Sequence, residues 1–154
     1  YGVPAGELDD AIRPMISAVD PDGLGFIAHA QPTSHYIAFQ RHHLAGRGGG
    51  CEPFCDGDQV VDSVRKVSGG TPPAPATMDY EGTVAIDDTA TVEKYLQRCL
   101  FDDSLSLESM LGDEHTGPYL QTCRDEAAGV WRFSQTVRLI AWGDLGKQLL
   151  APHA

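Results

Sequence analysis

No hydrophobic run in the chain approaches the ~20 apolar residues that a membrane-spanning helix needs. Positive charge is scarce as well: 11 Lys and Arg stand against 22 Asp and Glu, for a net charge of −11. The cations are scattered singly or in pairs, so there is no basic stripe to neutralise phosphates, and neither nucleic acid nor an anionic membrane is an expected partner. No Ser-His-Asp order, phosphate-binding glycine loop or paired-carboxylate motif stands out, and there is no internal repeat. Cys51-x-x-x-Cys55 has no second tight pair to complete a metal site, so no metal and no cofactor are expected. That leaves cofactor-free chemistry.

What is present suits one ordinary globular domain spanning residues 1–154, with 42% apolar and 21% charged residues. Residues 7–19 place Leu8, Ile12, Met15, Ile16 and Val19 at helical spacing, with Pro14 predicting a late start or a kink. Asp20-Pro21-Asp22-Gly23 is a turn, and Gly25 leads in extended form to Pro32. Period-two alternation predicts a strand over 34–44, with His35, Ile37, Phe39, Arg41 and His43 on one face and His42 on the other. Glycine-rich 45–58 and proline-rich 68–77 read as loops around a strand at 59–67. A strand at 80–86 precedes the clearest helix, 89–101, where Val92, Tyr95, Leu96, Cys99 and Leu100 keep helical spacing behind Asp88. A short helix is predicted over 102–111.

The last third carries the strongest strand signal. Trp131, Phe133, Val137 and Leu139 alternate with Arg132, Ser134, Thr136 and Arg138, and 119–126 with 130–142 reads as an antiparallel hairpin turning at Gly129. The expected fold class is therefore α+β: an antiparallel sheet of five strands packed on helices. Trp131, Phe133, Val137, Leu139, Val92, Leu96 and Leu100 are expected to share one core.

Two segments resemble the NTF2-like superfamily, in particular the scytalone dehydratase and SnoaL-like enzymes. Gly129-Val-Trp-Arg-Phe133 running to Ala141-Trp-Gly-Asp144 is similar to their last strand. Thr33-Ser34-His35-Tyr36-Ile37 is similar to the segment that carries a catalytic histidine there. The resemblance implies a curved, cystatin-like antiparallel sheet wrapped around helices to form a cone-shaped pocket. The Tyr/Asp pair supplied by that group's opening helices has no match in this chain, and the helix at 89–101 departs from the family's plan.

The implied activity is cofactor-independent acid–base chemistry, dehydration, isomerisation or cyclisation of a small polyketide- or terpenoid-like substrate. Each needs a base beside a carbonyl and donors for the enolate. His35 is the implied base, with a rate that falls as pH drops through about 6.5. His43 and Tyr36 are the supporting acid or donor, and Phe39, Arg41, Tyr119 and Trp142 the substrate-binding set. Two alternatives stand beside it: a non-catalytic ligand-binding or dimerising module, and a secreted protein with Cys51 linked to Cys55. Partners on the main reading are a small substrate and, as an option, a second copy, with the cytoplasm ahead of secretion. Tyr1 in place of Met implies a removed leader or a later start.

Overall fold

A computed structural model of the chain describes residues 3–47, 54–69 and 75–150. After a 3-10 turn at Ala5–Glu7 come α1 (Leu8–Ser17), β1 (Gly25–Ala30), α2 (His35–Ala45), α3 (Gly57–Ser68) and β2 (Ala76–Ala85). Then follow α4 (Thr89–Leu100), α5 (Leu107–Gly112), α6 (Thr116–Thr122), β3 (Arg124–Asp125), β4 (Val130–Trp142) and α7 (Asp144–Leu149). The strands form one four-stranded antiparallel sheet in the order β1-β4-β2, with β3 also on β4. The architecture is α+β, as the composition and patterning imply.

Two expected strand segments are helical and a third is helical in its first half. Residues 34–44 form α2: their period-two pattern competes with a run of helix formers, Ala38, Gln40, Arg41, Leu44 and Ala45, and only Ile37 is β-branched. Residues 59–67 lie in α3, which opens with a capping box: Asp56 accepts the Gln59 N–H while the Gln59 side chain accepts the Asp56 N–H. Val60, Val61 and Val64 then take one buried stripe despite their branching. Residues 119–126 are split between α6 and β3, with Asp113 accepting the His115 and Thr116 N–H groups at the helix entrance. The expected hairpin survives as β3 and β4, in which Arg124 faces Trp131 across a turn where Gly129 has φ 67°. Helix α1 runs through Pro14. The 45–58 loop is shortened by both flanking helices, and the middle of the 68–77 loop, residues 70–74, lies outside the described residues, as does Cys51.

By internal contacts the chain forms two units. Unit 1 comprises 1–32, 54–79 and 136–154. Its core sets Leu8 and Ile12 of α1 against Val60, Val61 and Val64 of α3 and Ile140 of β4. Strand β1 pairs with β4 from Gly25 opposite Trp142 to Ala30 opposite Val137. Gly25 lies under the Trp142 indole: a Cβ there would stand 1.9 Å from the ring.

Unit 2 comprises 33–53 and 80–135. Its core joins Phe39, Val92, Leu96, Cys99, Met110, Leu120, Trp131 and Phe133, with Leu100 packed against them. Five of the seven expected core residues therefore meet here. Val137 and Leu139 do not: they fall in unit 1 and are only half-buried, because the strict alternation of β4 ends at Gln135.

Candidate functional site

His35 opens α2 and is 2% exposed. Helical geometry places residues four and seven further on above it, since a turn takes about 3.6 residues. Phe39 stacks on the imidazole at 5.5 Å, and Tyr119 of α6 stacks at 5.6 Å. Tyr95 of α4 and Phe133 of β4 close the cage at 5.6 and 4.6 Å. His42, expected to face away from His35, instead shares its helix face and stacks on Tyr119 at 4.6 Å.

The Tyr119 hydroxyl and His35 Nδ1 are hydrogen-bonded at 2.9 Å, with the donor set by the ring's tautomer. Cys123 Sγ stands 3.7 Å from the same nitrogen. Nε2 is buried with no hydrogen-bond partner among the described residues. Loss of water lowers the His35 pKa from 6.5 to about 3, so the ring is neutral throughout the physiological range. The acid limb expected near pH 6.5 for a His35-dependent rate is thereby displaced far downward. Burial also raises the Tyr119 hydroxyl and the Cys123 thiol above their ordinary values, and pushes the Cys99 thiol up to about 11. None of these three groups is an ionised nucleophile near neutrality.

Beside this cage is a groove of about 410 Å³. Strand β2 contributes Tyr80, Thr83 and Val84; α4 contributes Thr91, Lys94, Tyr95 and Arg98; β4 contributes Phe133 and Gln135. Tyr95 and Phe133 are thus shared between the groove and the cage around His35. Gln135 is 9% exposed and held at both ends: its Oε1 accepts from the Ser34 hydroxyl, and its Nε2 donates to the Tyr95 hydroxyl at 2.8 Å. Ser34 is itself fully buried, so the amide is presented in one orientation. Burial raises the Tyr95 pKa, which keeps its hydroxyl protonated.

No family model and no curated protein matches the chain. Of the expected site residues, His35, Phe39 and Tyr119 come together. His43 is turned to a different recess of about 250 Å³, lined also by Arg47, Asp113 and Thr116. Tyr36 is half-buried against the core of unit 2, while Arg41 is exposed. Trp142 belongs to unit 1, where it lies over Gly25. Arg132 and Arg138 are engaged in ion pairs, Arg132 with Asp125 and Glu81, Arg138 with Asp58.

Sequence reasoning missed Lys94, Arg98 and Gln135. Each had a signal. Gln135 continues the inward series 131, 133, 135 of a strand, where a polar residue is out of place. Lys94 and Arg98 are spaced i, i+4 beside the apolar stripe of the one helix that reads without ambiguity. Among the described residues no three His, Cys, Asp or Glu side chains converge on a metal-sized site.

Proposed function

We propose that unit 2 binds a compact organic molecule in the groove formed by β2, α4 and β4. One observation carries this reading: a recess of about 410 Å³ combines three aromatic side chains with a rigidly held amide and two cations. Small-molecule sites have volumes of about 300–1,000 Å³ and mostly apolar walls with a few placed polar groups. A recess of about 520 Å³ beside Thr89 and Leu111 is larger but carries Glu93 and Glu108 and no aromatic ring. It offers a ligand neither stacking nor positive charge.

The test is thermal denaturation of the full chain against a panel of flat ring compounds. A ligand present at 100 times its Kd adds about 2.7 kcal/mol of stability, enough for a clear shift. Thr83→Trp, an exposed groove position, fills the recess and should abolish the shift. A panel that stabilises the wild type and the filled variant equally would refute the groove as the site.

A second reading is favoured by the contact between His35 and Tyr119. In it the chain is a cofactor-independent dehydratase, isomerase or cyclase of the NTF2-like, scytalone dehydratase type, with a cone-shaped pocket and His35 as base. The resemblance of 33–37 and 129–144 supports it, as does a neutral imidazole whose Nε2 has no partner among the described residues. Burial weighs against it, because a ring 2% exposed with a pKa near 3 is hard to reach and weakly basic. Turnover of a hydroxylated or unsaturated carbonyl compound that disappears in His35→Ala, with the fold retained, would establish this reading over simple binding.

A further inference from the structure

Resting on the binding reading, we infer that the groove selects an organic anion: a flat apolar body carrying a carboxylate. The argument begins with how the protein disposes of its positive charge. At least seven of the 11 Lys and Arg side chains are in ion pairs, as expected when 22 carboxylates compete for them. Lys94 and Arg98 have no ion-pair partner among the described residues. They are also one turn apart on α4, a spacing at which like charges repel, and both line the groove.

Carboxylates near them in sequence or on β2 are committed elsewhere: Asp102, four residues after Arg98, pairs with Arg47 at 3.6 Å and accepts the Ser104 N–H. Asp88 accepts the Thr91 N–H at the start of α4. Glu93 accepts the Leu107 N–H at 2.6 Å. Glu81 of β2 is held by Arg132 at 2.7 Å. Two uncompensated cations in so acidic a chain form a local positive spot, and it coincides with a recess walled by Tyr80, Tyr95 and Phe133. A carboxylate at Lys94 and Arg98 would make charge-assisted hydrogen bonds, while an attached ring system lies along the aromatic walls and covers apolar surface. A neutral ligand of the same shape would keep the stacking and forgo the ion pairs.

The experiment is isothermal titration of the full chain with two acids, 2-naphthoate and 4-biphenylcarboxylate, and with their primary amides. Each is repeated on Lys94→Gln and Arg98→Gln. Both positions are exposed on α4, so the variants should fold normally. The acids are expected to bind about tenfold more tightly than the amides, and each substitution to weaken the acids about three- to tenfold while leaving the amides unchanged. Amides that match the acids, or variants that hold the acids' affinity, would overturn anion selectivity and leave the groove as a binding site. If neither acids nor amides bind at millimolar concentration, the binding reading falls and the anion inference with it.

Discussion

Protonation of unit 2 at mildly acidic pH provides a quantitative check on the cage around His35. A folded-state pKa near 3, against 6.5 for an exposed imidazole, means that the folded ring refuses a proton which the unfolded chain accepts. The contribution of a base lowered in this way is intact above about pH 6.5 and is lost as pH falls from there towards 3. Each pH unit in that window costs about 1.4 kcal/mol, so going from pH 8 to pH 5 should remove about 2 kcal/mol through His35 alone. His29 and His43, also lowered by burial, add losses of the same sign. Comparison with His35→Phe isolates the His35 share, since a phenyl ring suits an aromatic cage and cannot take a proton. The assay is urea denaturation at both pH values, read by Trp131 fluorescence in a Trp142→Phe background so that the signal reports unit 2. His35→Phe should lose about 2 kcal/mol less than its parent between pH 8 and pH 5. Equal pH dependence in the two proteins would show that His35 is solvated, and the description of the cage would be wrong.

Other substitutions probe the remaining parts of the account. Trp131→Ala should cost about 3–5 kcal/mol in denaturant titrations, since it empties the largest fully buried side-chain site of unit 2. Tyr119→Phe removes the hydroxyl partner of His35 Nδ1 and should cost about 1–3 kcal/mol at neutral pH; an unchanged denaturation midpoint would show that the pair is not formed. Gly143→Ala should destabilise unit 1 measurably, because φ is 77° there and a Cβ would stand 2.3 Å from the Gly23 carbonyl oxygen.

The fold was legible where the pattern and the local propensity agree. Helix α4 has Asp88 at its cap and an unbroken apolar stripe, and β4 has aromatic and β-branched residues in alternation, so both read correctly. Helix α2 was misread because His35, Ile37, Phe39, Arg41 and His43 alternate as a strand would, while the helix is buried on several sides through its first half and has no clean stripe. In α3 the valines concealed a capping box that was in plain view at Asp56 and Gln59. The register error in α2 propagated to the site: it paired His35 with His43, whereas the helix aligns His35 with Phe39 and His42. The groove was not legible in the same way. It is made where three separate elements meet, and its cations look in the sequence like any solvated pair on a helix.

The most direct test of the central claim is a map of backbone and side-chain amide NMR shifts in the full chain on addition of a stabilising ring compound. The account predicts that the largest shifts fall on Gly82, Thr83, Thr91 and the Gln135 side-chain amide, which line one recess. Shifts centred instead on the unit 1 recess at His29, Phe54 and Val60, with the Gln135 amide unmoved, would contradict it.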